Sequence, residues 1–495
     1  MANSIHRPDL NPPQVERKTT NGSGILGGRR GVLRFATLPL TAIALFAVGV
    51  AGSGAPTNVD AAVSFSPDAA AAGPAHPHQF LVHFNSRSRA DHAEILQRLR
   101  AHVVTEIPQI GLTVAETAGA PDQAVAQLNA RRDLVKFAET NGIGTLPDNR
   151  ITRVNLHPKS AKPMSDPTNT INQCMNDSYL AASAQIGAPD WGRTNTQWDQ
   201  VPTSALLPNN KTSGSKVKIA ALDTGVDNTH PDLVGTITSD SEDLANPSDP
   251  NPFRDVSGHG TAIAGTMVAH CDGEGVAGYA GETSEVTEIK VFTDTTTPVT
   301  NDALIAQGIT DATDKGAQVI LIEAITGPSQ SIQDAIDYAN AHNAVVVGAI
   351  GNEGKQVPTS YPGHFKGIVT AGASDQNDHT SSFNTIPQKS PRDIDGFAPE
   401  SSLTTSPGGA FASSTGTSNA AAEGAAILAF NLSQNPGITN TQNGLDVKAA
   451  TDPMVSDPNY TLYPQYRNHL IRVNFLRLLN GGARKMLTSL FVKAA

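Results

Sequence analysis

The segment Val217-Lys-Ile-Ala-Ala-Leu-Asp223-Thr-Gly225 is a short apolar run that leads directly into a carboxylate and a glycine-containing turn. Several similar apolar runs follow it, and segments with helical periodicity separate some of them. Continuous runs of Val, Ile and Ala that alternate with helices are typical of a parallel sheet covered on both faces. The predicted strands are residues 217–222, 288–292, 319–322, 344–349 and 367–371, and the predicted helices are residues 301–315 and 331–342. We therefore predict an α/β fold with a doubly wound, mostly parallel sheet, in which Asp223 lies at the carboxyl edge, where such sheets form their sites.

Two further motifs place reactive side chains at predicted helix starts. His259 lies between glycines before an Ala-rich stretch, and Ser418 follows Gly416-Thr at the first turn of an apolar helix, where negative charge is favoured. Each motif alone has an ordinary explanation. Asp223-Thr-Gly also fits a strand-ending turn or half of an aspartic protease dyad, a lone His is commonly packed or exposed, and such a Ser is commonly an N-cap. The comparable tripeptide at 414–416 has no carboxylate, which disfavours the dyad.

Together these motifs resemble the successive signatures of subtilases, the subtilisin-like serine proteases. Asp223, His259 and Ser418 occur in the chain order of the Asp–His–Ser triad of subtilisin. A fourth matching stretch, residues 345–354, contains Asn352. The resemblance implies a subtilisin-like peptidase domain over residues 176–480 and a serine endopeptidase that hydrolyses peptide bonds through an acyl-enzyme.

The resemblance also implies a role for each residue. Ser418 is the expected nucleophile, His259 carries the proton, and Asp223 orients the imidazole. Asn352 is the expected oxyanion donor, although an Asn at this position also suits a left-handed turn. A substrate strand is expected to add to an edge near residues 292–299. The expected lining of the first substrate pocket is Ala324, Ile325, Thr326, Gly327, Ala349, Ile350 and Gly351.

Several positions depart from the family pattern. Ala422 replaces the Pro after the nucleophile, and Glu423 stands where many members have His. Glu323, beside the expected pocket, would favour basic substrate residues if it faced inward. These departures leave open an inactive subtilase-like module that binds peptide or cell wall. A secreted structural protein is the other alternative, but it would not explain four signatures in order.

The N-terminal region has the pattern of a bacterial export signal. Arg29, Arg30 and Arg34 precede an apolar run, residues 35–51, that ends in small residues. The run is interrupted and only about 17 residues long, which is short for a membrane-spanning helix. We therefore expect a secreted protein with an export signal at residues 1–55, for which the Arg pair raises the twin-arginine route as one option.

A small folded unit is predicted between the signal and the enzyme. Residues 56–78 are rich in Ala, Pro and Gly and predict a linker. Residues 79–142 show a β-α-β-β-α-β pattern, the split βαβ arrangement of ferredoxin-like modules. A unit of this size before the enzyme resembles the inhibitory propeptide of subtilases and implies a self-processing precursor. Residues 143–175 predict a processed or surface linker, and residues 481–495 form a C-terminal tail without an assigned role.

The expected partners and cofactors follow from composition and resemblance. The net charge of −11, without a basic cluster, argues against nucleic acid. Polypeptide substrates and the chain's own propeptide are the expected partners, and we expect a monomer. The triad requires no cofactor. The resemblance suggests a structural calcium ion with Asp232 and Asp272 as ligands, although few other oxygen donors are identifiable in that loop.

The chain has two cysteines, Cys174 and Cys271. Export leads to an oxidising compartment, in which two such thiols commonly pair. The resemblance places the start of the mature enzyme beside the loop after the catalytic His helix, and the cysteines lie in these two segments. We therefore predict a disulfide between them, with two unpaired thiols as the alternative.

Overall fold

The computed structural model describes residues 75–85, 89–154, 173–185, 190–207, 215–387, 394–462 and 468–480. The predicted export signal, most of the linker at 56–78, most of the segment at 143–175 and the tail at 481–495 lie outside the described residues. Within the described part of the chain, no helix combines the length and apolar character needed to cross a membrane.

The N-terminal part folds as an antiparallel sheet with two helices. Its elements are β1 (Ala75–Phe84), α1 (Arg89–Arg98), β2 (Ala101–Ile107), β3 (Leu112–Thr117), α2 (Pro121–Asn129) and β4 (Val135–Thr145). The strand order β2-β3-β1-β4 is the predicted split arrangement. One face of the sheet packs on α1 and α2 through Phe80, Val82 and Leu128. Because side chains alternate along a strand, Leu81 faces the other way and joins a core cluster of the larger region.

The larger region is built on a nine-stranded sheet, in the order β18-β19-β15-β13-β11-β10-β6-β8-β7. All its neighbouring strands run parallel except β18 and β19. Its strands are β6 (Val217–Asp223), β7 (Glu242–Asp243), β8 (Ser284–Lys290), β10 (Val319–Ile322), β11 (Val345–Ala349), β13 (Ile368–Ser374), β15 (Gly396–Pro399), β18 (Thr451–Pro453) and β19 (Ile471–Val473). The predicted doubly wound, mostly parallel sheet is thus confirmed.

Helices cover both faces of this sheet. Ala220, Leu222 and Ile320 contact the cluster of α7 (Asp302–Asp314) and α8 (Gln330–Ala341). The alternate residues, including Ile219, Ala221 and Leu321, share a second cluster with α6 (His259–Val268), α9 (Thr417–Gln434) and α10 (Asn440–Ala449). The strand predicted at 288–292 instead spans 284–290, because the polar Thr287 and Glu288 are buried in it and interrupt the apolar pattern.

The remaining elements are short. A three-stranded antiparallel sheet has the order β16-β17-β5 and comprises β5 (Arg150–Arg153), β16 (Ser401–Ser406) and β17 (Ala410–Thr415). The other strands are β9 (Val299–Asn301), β12 (Gln356–Val357) and β14 (Ile386–Pro387). The other helices are α3 (Ser178–Gln185), α4 (Trp191–Asn195), α5 (Thr203–Leu206), α11 (Asn459–Leu462) and α12 (Phe475–Leu479).

A disulfide joins Cys174 to Cys271, with their Cα atoms 4.9 Å apart. Both residues are buried, and the bond closes a sequence separation of 97 residues. It attaches the segment before α3 to the loop that follows α6.

Candidate active site

Three elements bring Asp223, His259 and Ser418 to one edge of the large sheet. β6 ends at Asp223, α6 begins at His259, and Ser418 is the second residue of α9. The backbone approaches closely here, because a Cβ on Gly260 would collide with the carbonyl oxygen of Gly225. The small residues beside His259 therefore allow the helix start to reach the end of β6.

His259 and Asp223 form a buried hydrogen-bonded pair. His259 Nδ1 lies 2.8 Å from Asp223 Oδ1 and 3.0 Å from Oδ2, and Asp223 Oδ1 also accepts from the backbone N–H of Thr224 at 2.7 Å. Because Asp223 accepts a hydrogen bond from His259 Nδ1, the proton of the neutral imidazole is on Nδ1. Nε2 is then the acceptor, on the side of the ring that faces the substrate cleft. Asp255 supports the pair by accepting from the backbone N–H groups of Gly258 and Thr261 at the start of α6.

The charges around His259 favour its protonated form. Burial alone lowers the pKa of His259, but the charge and hydrogen bond of Asp223, followed by the charges of Glu323 and Asp255, outweigh burial and raise the pKa to about 9. This environment stabilises an imidazolium ion, the form that His259 takes when it accepts a proton from a nucleophile.

Ser418 is fully buried, and its Oγ makes no well-formed hydrogen bond to any described residue. The cleft side of His259 is occupied instead by Asn149, whose Nδ2 lies 3.1 Å from His259 Nε2. A segment from the N-terminal part of the chain therefore occupies the acceptor nitrogen of the expected base.

Asn352 is oriented as a donor into the cleft. Its Oδ1 accepts from the backbone N–H of Thr417 at 2.8 Å, which directs its Nδ2 toward Asn149 Oδ1 at 2.9 Å and Asp148 O at 3.0 Å. The left-handed backbone of this turn falls on Gly351 and Gly354, with φ of 101° and 60°. A turn requirement therefore does not account for Asn352.

The residues predicted to line the pocket separate into two groups. Ile325, Thr326 and Gly327 line a cavity near the cleft. Ala324, Ala349 and Ile350 are buried among core side chains, and Gly351 packs on Ile325 and Thr385. The cavity has further lining residues from later loops, for which the sequence carries no motif: Glu353, Val357, Thr359, Ser360, Tyr361 and Thr385.

Glu323 lies within the site and does not line this cavity. Strand alternation places it on the same face as Leu321, toward α6 and α9, and its N–H donates to Leu222 O beside Asp223. It is fully buried, and neither carboxylate oxygen has a well-formed hydrogen bond to a described residue. Burial raises the pKa of Glu323, and its carboxyl interacts with His259, Asp223 and Ser418.

The two carboxylates expected to bind calcium each accept one backbone hydrogen bond. Asp232 Oδ2 accepts from the backbone N–H of Val276 at 2.8 Å, and a Cβ on Gly275 would collide with this carboxylate. Asp272 Oδ1 accepts from the backbone N–H of Glu274 at 3.0 Å. Each carboxylate keeps a second oxygen, and among the described residues no group of three acidic, His or Cys side chains is arranged to hold a metal ion.

Two strand edges at the cleft pair with an extended segment of the same chain. Thr145 exchanges backbone hydrogen bonds of 3.0 and 2.9 Å with Ile325, and β4 pairs with β9. β5 pairs with β17, the strand that leads to Ser418. The edge expected near residues 292–299 is thus formed by β9, at Val299–Asn301.

These features define a class, a serine endopeptidase with an N-terminal prodomain, and comparisons with known proteins agree. The subtilase family model matches residues 214–455, and the fervidolysin N-terminal prodomain model matches residues 65–141. Thermitase from Thermoactinomyces vulgaris is 35% identical over 236 residues, which cover 47% of this chain and 81% of thermitase. The chain belongs to the subtilase family.

Two further matches differ in how much of the relative they cover. Fervidolysin from Fervidobacterium pennivorans is 28% identical over 309 residues, which cover 60% of this chain and 41% of fervidolysin. Its crystal structure matches with a TM-score of 0.62 and 22% identity, covering 82% of this chain and 61% of that chain. The epidermin leader peptide processing serine protease from Staphylococcus aureus matches with a TM-score of 0.60 and 18% identity, covering 82% and 98%. The last two likenesses show the fold.

Proposed function

We propose that this protein is an exported serine endopeptidase, made as a self-processing precursor, that cleaves polypeptides with Asp223, His259 and Ser418. The observation that carries the proposal is the buried Asp223–His259 pair at 2.8 Å beside Ser418, at a cleft that already holds an extended segment. The same edge and the same residue types serve catalysis in the subtilisin triad.

The proposed reaction uses these groups in order. Ser418 Oγ attacks the peptide carbonyl while His259 Nε2 takes its proton, and Asp223 stabilises the resulting imidazolium. Asn352 Nδ2 donates to the developing oxyanion. His259 then gives its proton to the leaving amine, and a water molecule repeats the sequence on the acyl-enzyme, which releases the acid and restores Ser418.

The N-terminal unit is proposed to be the inhibitor of the same site. Glu139 accepts from the backbone N–H groups of Gln330 and Ser331 at the start of α8, both at 2.9 Å. Asn141 Oδ1 accepts from Ala303 N at the start of α7, at 3.1 Å. Helix N-termini favour such acceptors, so these contacts attach the unit beside the cleft. From there β4 continues along β9 toward the catalytic residues.

Export and the metal requirement complete the proposal. Residues 1–55 are proposed to direct secretion, as the N-terminal pattern indicates, and the comparisons give no support to a twin-arginine route. The acceptors at Asp232 and Asp272 are already paired with N–H groups. We propose that the Cys174–Cys271 disulfide stabilises this region without a bound calcium ion.

The test is casein hydrolysis by the purified protein and by a Ser418→Ala variant. We expect no activity from Ser418→Ala above the uncatalysed background of the assay. Ser433→Ala is the matched control, because it removes a hydroxyl that bonds to Phe430 O near the other end of the same helix. A wild-type protein that binds casein without hydrolysing it would instead support the inactive peptide-binding module.

A further inference from the structure

The cleft holds residues 143–153 in the manner of a bound peptide chain. On one side Ile143, Gly144 and Thr145 pair with β9, and Thr145 also pairs with Ile325. On the other side Arg150 to Arg153 pair with Thr415 to Ala412 of β17. The chain is therefore held by backbone pairing both before and after the catalytic residues, as an added strand is held at a sheet edge.

Between these two paired parts, the chain makes a sharp turn that presents one carbonyl group. Asn149 N donates to Pro147 O at 2.7 Å, and Asp148 O accepts from Asn352 Nδ2 at 3.0 Å. Asp148 O is the only backbone carbonyl for which a hydrogen bond to this proposed oxyanion donor is described within residues 143–154. The group that Ser418 would attack is thus the carbonyl of Asp148.

The side chain of Asn149 contacts both His259 and Asn352. Its Nδ2 lies 3.1 Å from His259 Nε2, and its Oδ1 accepts from Asn352 Nδ2 at 2.9 Å. The contact depends on a small neighbour, because a Cβ on Gly416 would collide with Asn149 Oδ1. While this amide is in place, His259 lacks a free acceptor for the Ser418 hydroxyl.

We propose that self-processing cuts the bond between Asp148 and Asn149, and that the Asn149 amide delays the cut by occupying His259 and Asn352. This inference rests on the proposed function, because it assigns the first substrate of the same triad.

The step balances as an ordinary peptide hydrolysis. Once the Asn149 amide has left His259, Ser418 Oγ bonds to the Asp148 carbonyl carbon, and the C–N bond to Asn149 breaks. His259 passes the Ser418 proton to the new amino group of Asn149. Water then attacks the Asp148 ester, and the products are an Asp148 carboxylate and a free Ser418.

The experiment is intact-mass analysis of the full chain during maturation in a host that lacks other extracellular proteases. We expect a prodomain fragment that ends at Asp148 and an enzyme that begins at Asn149, and an uncut Ser418→Ala precursor. A Ser418-dependent cut at another bond overturns the assigned bond but leaves the proposed function intact. Processing of the Ser418→Ala chain at the normal rate would instead contradict the proposed self-processing.

The delay is tested by the rate of the cut. Asn149→Ala and Asn149→Ser cannot bridge His259 and Asn352, and we expect about a tenfold faster first cut for each, since one or two hydrogen bonds no longer have to break. Thr152→Ala is the matched control, because it changes an exposed side chain of the same segment and leaves the backbone pairing of β5 intact. Unchanged or slower cutting in folded Asn149 variants overturns the delay.

Discussion

The two ends of α6 attach distant segments of the chain by different means. At its N-terminus His259 contacts Asn149 through a hydrogen bond, and the neighbouring residues 150–153 are held by backbone pairing with β17. Beyond its C-terminus, Cys271 holds the segment before α3 through a covalent bond. In both places an incoming segment covers the same helix.

The difference concerns which attachment can be exchanged. Hydrogen bonds to a cleft are replaced by those of another peptide at little net free energy, so a substrate can take the place of residues 148–153. A disulfide permits no such exchange and remains as long as the compartment is oxidising. We infer that the segment at the N-terminus of α6 can be exchanged for a substrate, and that the segment beyond its C-terminus stays attached. The predictions below test this contrast.

The largest expected effect is a difference in catalytic activity between variants of the two histidines near the ends of α6, His259 and His270. His259→Ala, after the active enzyme has cut it in trans, should lower kcat by about a millionfold, the size of the loss in subtilisin when its catalytic His is removed. His270, which hydrogen-bonds to Glu282 at 2.8 Å beyond the other end of α6, is the matched control. His270→Ala should retain kcat/KM within about threefold, because surface changes distant from a site seldom affect it. Equal losses in the two variants would remove the distinction between the ends.

The disulfide should contribute the next largest effect, on stability. Replacing Cys174 and Cys271 by Ser frees a separation of 97 residues, and the chain-entropy model assigns about 4–5 kcal/mol to a loop of that size. Denaturant unfolding of the inactive Ser418→Ala protein, which cannot digest itself, measures the change. A chelator should not change the unfolding midpoint. A midpoint that falls with chelator but not with the Ser replacements would show that a metal stabilises this loop.

The attachment at the N-terminus of α6 is exchangeable. We therefore expect an effect of intermediate size on inhibition of the mature enzyme by the N-terminal unit. Residues 75–148, added as a separate chain, should inhibit peptide hydrolysis by the mature enzyme. Glu139→Ala removes an acceptor for two N–H groups of α8, and the inhibition constant should rise about 10- to 100-fold. Asp133→Asn, which changes a fully exposed carboxylate of the same unit, is the control. An inhibition constant that Glu139→Ala leaves unchanged would place the binding energy elsewhere.

The smallest expected effect is on the pH dependence of activity, which is set by the protonation of His259. Asp223, Glu323 and Asp255 all raise the pKa of His259, and activity requires its neutral form. Glu323→Gln removes one negative charge, so the pKa of His259 should fall and the acidic limb of kcat/KM should move to lower pH, by about one pH unit.

Two further variants make the pH result decisive. Glu285→Gln deletes a charge at the opposite end of the strand beside β6 and should leave the limb in place. Glu323→Leu should shift the limb in the same direction as Glu323→Gln, because both remove the charge. A limb that stays in place in both folded Glu323 variants would show that Glu323 does not tune His259.

The sequence predicted the parts of the molecule that rest on local patterns. Strand β10 has the predicted bounds, since its continuous apolar run and its flanking residues suffice to define it. Asp223, His259 and Ser418 each follow or precede a glycine-rich motif, and the fold brings those motifs to one edge. The prediction of their catalytic role rests on the family resemblance as well as on position.

The parts that depend on distant partners were not predictable in the same way. Residues 139–145 lack strand alternation, yet β4 extends to Thr145 because β9 supplies backbone partners. β5 exists through its pairing with β17, so the local sequence of residues 150–153 predicts only a linker. The orientation of Glu323 depends on the register of β10 in the sheet, which the local sequence does not define. Such features follow from tertiary contacts rather than from local sequence.

The most direct test of the central claim is covalent labelling of the mature enzyme with a fluorophosphonate, which reacts with an activated serine. We predict one adduct per molecule, on the peptide that contains Ser418, and no adduct in a His259→Ala chain that the active enzyme has cut in trans, because the hydroxyl needs the base. An adduct on a different residue, or none in a preparation that hydrolyses casein, would contradict the assignment of Ser418 and His259.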